Sequence, residues 1–292
     1  MPLHPITWTL EPKSAHTHTI IFLPSLAREG EEFGRDFLEF CTNADERQLP
    51  DLFPGCRFVF PTAKYRLGSG FEWRILNLWF DMARLSEPDY KKKIQLPGME
   101  QSAAQLMEII NAELEDVPPK CLILAGFGQG SAMALSILMA LEQPIGGFIG
   151  LSGWLPFQSN LEDFLESRPE FDELEEHGRQ EPVVRAQTFQ RDLLDLPAID
   201  TPRKENTAYG TPVFIAHGDT DRTIPMSYGD AAARTARAAG YKVTMKKYAG
   251  MAHGLAISLE IDEILEFIGS RVRWNIAPAP ASASASASAP AN

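Results

Sequence analysis

The chain has 292 residues, 44% of them hydrophobic and 23% charged, with a formal net charge of −12. A domain of this length buries roughly three quarters of its unfolded surface, so it needs no disulfide or metal staples, and the composition excludes disordered, fibrous and collagen-like classes. The acidic balance repels phosphate backbones and anionic headgroups, so no nucleic-acid partner is expected; the longest basic run is Lys91-Lys92-Lys93.

Residues 1–16 are set apart as an N-terminal extension, because Pro2, Pro5 and Pro12 interrupt it and no apolar run marks a secretory leader. The first apolar run, Thr19-Ile20-Ile21-Phe22-Leu23, opens a domain taken as residues 17–271 and is broken by Pro24-Ser25. Phe58-Val59-Phe60-Pro61 is the second run. Ala103, Leu106, Met107, Ile110 and Leu114 then share one face at helical spacing. Cys121-Leu122-Ile123-Leu124-Ala125 is the third run and ends in Gly126; residues 129–141 follow as a helix apolar on nearly every side. Residues 145–151 form the fourth run.

Residues 158–209 break the rhythm. They show no strand pattern, and residues 161–176 carry eight acids against one Arg. The tract reads as an acidic insertion, either a cover for a pocket or a solvated excursion. Val213-Phe214-Ile215-Ala216 and Val243-Thr244-Met245 are the fifth and sixth runs. A last helix is expected from a Ser258 cap through Ile261, Ile264, Leu265 and Ile268, closed by Gly269. Residues 272–292, rich in Ala, Ser and Pro, read as a disordered tail.

Short apolar runs bounded by Gly or Pro suit strands buried on both faces, and their alternation with helices gives an α/β fold. The sheet is expected to be mostly parallel and twisted, with helices on both faces and ligands at the strands' C-terminal ends. Cys41, Cys56 and Cys121 form no C-x-x-C pair, so no metal site and no cofactor are expected. No stretch approaches the ~18 apolar residues of a membrane span. A cytoplasmic location follows as an expectation.

The third run leads into Gly126-Phe127-Gly128-Gln129-Gly130, the frame of a nucleophile elbow with Gly128 where a Ser would stand. The fifth run ends in His217-Gly218-Asp219-Thr220-Asp221, and the sixth leads to Gly250-Met251-Ala252-His253-Gly254. Elbow, acid and His in this order, each at a strand end, match the order of the α/β-hydrolases. Together with Phe60-Pro61-Thr62-Ala63, Trp79-Phe80-Asp81 and Leu151-Ser152-Gly153-Trp154-Leu155-Pro156, these motifs make the chain resemble the acyl-protein thioesterase / phospholipase–carboxylesterase family of serine hydrolases. The resemblance implies the α/β-hydrolase fold and an acyl ester, thioester or acylated protein as partner. It also implies Asp221 as the triad acid, with Asp219 as runner-up, and His253 as the base. The N–H groups of Leu26 and Gln129 would form the oxyanion hole. Trp79 and Trp154 would border the acyl groove, although each by itself suggests packing.

Two departures bear on activity. The nucleophile position is Gly128, and the family's His-Gly after the first strand is Pro24-Ser25, where proline lacks an N–H. Losing the nucleophile of a serine protease costs about 2 × 10⁶-fold in kcat, or roughly 8–9 kcal/mol of barrier. One expectation is therefore a pseudoenzyme that binds an acyl ligand or partner in the old groove. The other is an active enzyme with His253 as general base, using Ser25 or water as nucleophile or running a lyase- or isomerase-type proton transfer.

Overall fold

The computed structural model describes residues 6–167, 181–254 and 259–278. Nine strands are described: β1 (Thr7–Leu10), β2 (His18–Leu23), β3 (Cys56–Pro61), β4 (Tyr65–Gly68), β5 (Arg74–Asn77), β6 (Leu122–Phe127), β7 (Gly147–Leu151), β8 (Pro212–Gly218) and β9 (Lys242–Tyr248). Seven build one sheet in the order β1-β3-β2-β6-β7-β8-β9. Only β1 is antiparallel to its neighbour. All six apolar runs are strands of this sheet, as expected of an α/β-hydrolase fold.

The helices are α1 (Gly30–Phe40), α2 (Leu49–Leu52), α3 (Leu96–Asp116), α4 (Gln129–Ala140), α5 (Gln158–Glu166), α6 (Pro182–Leu193), α7 (Met226–Ala238) and α8 (Leu259–Phe267). Strand side chains alternate between two cores. Ile21 and Leu23 of β2, Leu122 and Leu124 of β6, and Val213 and Ile215 of β8 pack with α3, α4, α6 and α7. Ile20, Phe22, Ile123, Ala125, Phe214 and Ala216 face the other way, against α1 and α8. Helix α4 is buried along its whole length, which explains why no polar face is visible in its sequence.

Several expectations need correction. The N-terminal extension contributes an edge strand: β1 pairs with β3, and Trp8 lies 5.6 Å from the Phe60 ring. Cys121 precedes β6 in a short 3-10 turn and is only partly buried. Gly269 does not end the last helix, which continues through a π-helical segment, Ile268–Val272; Ser258 lies outside the described residues. The start of the supposed tail is anchored. Trp274 is buried, its indole N–H donating to Lys120 O at 3.1 Å, and the Ala277 N–H reaches Leu52 O at 2.8 Å. Residues 279–292 lie outside the described set.

The acidic tract also differs from its expectation. Val183, Val184 and Ala186 of α6 join the core around α4, so this part belongs to the helical layer and is not a solvated excursion. Much of its acidic segment, residues 168–176, lies outside the described residues. Between β3 and α3, strands β4 and β5 form a separate hairpin whose Tyr65, Leu67, Trp73 and Ile75 are exposed. Among the described residues, no helix is long and apolar enough to cross a membrane.

Candidate active site

Leu23 of β2 stands in register with Gly126 of β6, so the loops leaving these two strands meet at one edge of the sheet. Gly128 caps α4 at φ 56°, ψ −119°. An L residue is strained at such dihedrals and glycine is not, so glycine at its centre lets the sharp strand-to-helix turn form without strain. The Gly128 N–H donates to Leu151 O at 2.9 Å. Gly130 lies against the carbonyls of Leu23 and Pro24, where a Cβ would overlap both. That close approach brings Ser25 beside the elbow.

A Cβ on Gly128 would run into Ser25 Oγ and stand 3.5 Å from His253 Nε2. The Ser25 hydroxyl therefore fills the space that a side chain at the elbow would take. Gly128, Ser25 and His253 converge on one point, and Ser25 and His253 line the same cleft of about 310 Å³.

The acid and the imidazole are assembled on the neighbouring strand ends. His253 Nδ1 lies 2.7 Å from Asp221 Oδ2, so Nδ1–H donates to the carboxylate and Nε2 is the ring nitrogen on the Gly128 side. The Asp221 side chain is fully buried, and its Oδ1 accepts the N–H groups of Thr223 (2.8 Å) and Ile224 (2.9 Å). Asp219 is exposed, and its Oδ1 accepts the Gly250 N–H at 2.7 Å, which ties down the loop leading to His253. The structure thus separates the two candidate acids: Asp221 meets the imidazole and Asp219 braces its loop. The Phe127 ring lies 5.1 Å from the His253 ring at 33° and limits its movement.

His217 lies behind Asp221 and is fully buried. Its Nε2 is 2.8 Å from Ile224 O and 3.3 Å from Asp221 Oδ2. Burial pushes its pKa below the usual imidazole value, outweighing the opposite pull of the Ile224 carbonyl and Asp221. A neutral His217 adds no second cation to compete for the carboxylate, and its place next to Asp221 was not visible in the sequence.

Pro24-Ser25 does not unravel the loop after β2. Trp79 Nε1–H donates to Pro24 O at 2.8 Å, and the Ala27 N–H donates to Asn77 O at 2.7 Å. Gln129 holds the same region: its Oε1 accepts the Trp79 N–H and its Nε2 donates to Phe80 O. The Gln129 main-chain N–H is at the first position of α4, where no intrahelical acceptor exists and the helix end is positive. Leu26 directly follows Ser25 and is half-buried.

The two tryptophans are elsewhere than a groove-lining role requires. Trp79 is 0% and Trp154 3% exposed, and Trp154 packs edge-on against Phe80 at 5.9 Å. Neither lines the cleft beside His253. Trp79 acts as a clamp on Pro24. Ser131, in the first turn of α4, is buried against Gly150 and Gly153, away from the cleft.

A family model described as Phospholipase/Carboxylesterase matches residues 5–192 and 196–271. The acyl-protein thioesterase 1 of Yarrowia lipolytica is 25% identical over 277 residues, covering 94% of this chain and 100% of the relative. That of Gibberella zeae is 26% identical over 260 residues, covering 87% and 91%. Among solved structures, Zea mays acyl-protein thioesterase 2 superposes with a TM-score of 0.64 at 23% identity, over 92% of this chain and all of that one. Arabidopsis thaliana SOBER1 gives 0.63 at 20% identity, over 88% and 99%. With the model spanning both the elbow and the Asp–His pair, the chain belongs to the phospholipase/carboxylesterase family of α/β-hydrolases.

Proposed function

We propose that the chain is an acyl-ester or thioester hydrolase in which Ser25 supplies the attacking oxygen that the elbow lacks. The observation carrying this reading is the Ser25 hydroxyl in the side-chain space of Gly128, on the cleft that His253 lines. His253 serves as general base and Asp221 holds its tautomer.

In the acylation step, His253 Nε2 takes the Ser25 proton as Oγ bonds to the substrate carbonyl carbon. The carbonyl oxygen gains the negative charge, facing the N–H groups of Gln129 and Leu26. The tetrahedral intermediate then expels the alcohol or thiol, which leaves with the proton held on His253. Water next attacks the acyl-serine and gives its proton to His253. The carboxylic acid departs, and that proton returns to Ser25 Oγ. Atoms and charge balance without a metal or cofactor. The relatives' names add an acyl thioester or an acylated protein as the substrate class.

The test is a fluorophosphonate probe with peptide mapping. The expected adduct is on Ser25, and Ser25→Ala is expected to lower kcat on p-nitrophenyl esters about 10⁴- to 10⁶-fold. Full turnover in Ser25→Ala would overturn the assignment; if His253→Ala is nevertheless inactive, water is the nucleophile. A folded protein that neither labels nor turns over any ester would be a binding protein.

A further inference from the structure

The cleft beside Ser25 and His253 is lined by α1, whereas Trp79 and Trp154 are buried in the other of the two cores. Its wall is one face of α1: Phe33, Phe37 and Phe40 recur at spacings of four and three, so they lie along a single stripe. From Phe33 to Phe40 this wall is about 10 Å long. Phe33 and Phe37 are almost fully buried and are packed from behind by Phe22 at ring distances of 5.2 and 4.6 Å.

We propose that the acyl group of the substrate docks on this α1 wall and is compact and neutral, an arylacetyl or short alkyl group and not a long fatty chain. The proposal rests on Ser25 being the nucleophile and names what that nucleophile acylates itself with. At about 310 Å³ the cleft is at the small end of ligand sites, which run from roughly 300 to 1,000 Å³. A long chain would pass the Phe40 ring, itself 56% exposed, and leave its further methylenes in water.

On the rim, Arg28 is held against Asp36 at 2.5 Å and Glu32 at 3.6 Å. Asp36 itself lines the cleft, so a carboxylate on the acyl group would face a like charge there. At the far end Cys41 is buried and its pKa is pushed up to about 12, mainly by burial, so it presents a neutral thiol. Ser25, His253 and the phenylalanines of α1 line one cleft, so the attacking oxygen and the apolar wall share a single space, as one acyl-transfer centre requires.

The experiment is a kcat/KM series on p-nitrophenyl esters from acetyl to palmitoyl, with phenylacetyl included, on wild type and Phe40→Ala. Phe40 lies at the exposed end of α1, and a melting curve checks that the variant folds. The expected profile rises about fourfold per methylene that enters the cleft, peaks near hexanoyl and phenylacetyl, and stops rising beyond. Phe40→Ala is expected to cut the phenylacetyl-to-acetyl ratio about fivefold. Efficiency still climbing to palmitoyl, or an unchanged ratio in Phe40→Ala, would overturn the proposal. If Ser25 takes no fluorophosphonate and no ester is cleaved, the hydrolase reading falls and the cleft is judged separately. An NMR titration with phenylacetamide that shifts α1 amides in wild type, and less in Phe40→Ala, would uphold the acyl seat; no α1 shifts would sink it.

Discussion

The loops after β8 and β9 hold Asp221 and His253 through directed hydrogen bonds, each carboxylate oxygen having a named donor. The loops after β2 and β6 are tied down by hydrogen bonds of Trp79 and Gln129, but the facing half of the site itself is set by close approach, with Gly130 against two carbonyls and Ser25 Oγ in the space a Cβ at Gly128 would take. The first half is set by polar geometry, in which each bond fixes the atom that faces its partner. The second is set by shape: the space a Cβ at Gly128 would enter is taken by Ser25 Oγ, from the loop after the strand next to the elbow.

Breaking the polar half should give the larger effect. Asp221→Asn keeps the packing but favours the wrong imidazole tautomer, and a fall in kcat of about 10⁴-fold is expected, measured on a short-chain ester. The shape-held half can be tested by swapping its two positions. Gly128→Ser alone forces a side chain into φ 56° and into Ser25, and is expected to cost about 1–3 kcal/mol in thermal unfolding without gaining activity. Combined with Ser25→Gly the overlap disappears. The double variant should then hydrolyse esters about 10²-fold faster than Ser25→Gly alone. If the single Gly128→Ser variant is fully stable, the claim that the two positions compete is wrong.

Trp79→Phe tests how far the shape-held half depends on one bond. It leaves Pro24 O without its donor, and a loss of about 1–3 kcal/mol is expected by chemical denaturation, with kcat falling about tenfold. The smallest effect concerns His217. Its folded pKa is lowered, so the unfolded chain binds the proton more readily. The stability it contributes is complete above the unfolded value of about 6.5 and is lost as pH falls below it. The melting temperature should drop between pH 7 and pH 5, and His217→Gln should show a shallower drop over the same range.

The central apolar runs could be read in the sequence because burial on both sheet faces leaves unbroken hydrophobic stretches, whereas the run in the edge strand β9 is only part-buried and correspondingly short. The elbow frame, acid and His could be read from their order at the strand ends. β4 and β5 could not, because the apolar side chains of that hairpin face solvent and so give no burial pattern. β1 was hidden by its flanking prolines and its four residues. Asp219 and Asp221 are two residues apart at one strand end, and only the turn through Thr223 and Ile224 decides which faces the imidazole. Ser25 was visible as a candidate through the loop after β2. Its overlap with the elbow depends on the β2–β6 register and on the glycine at 130, both properties of the sheet. Trp79 was placed at the groove by the resemblance alone; the residue by itself suggested packing, and its buried indole N–H is used internally.

The overlap between Gly128 and Ser25 makes the two codons dependent on one another. With Ser25 in place, a side chain added at 128 meets a crowded and strained position, so a larger residue there is accommodated only once position 25 has been made smaller. What stands at one of the two positions thus limits what the other can accept.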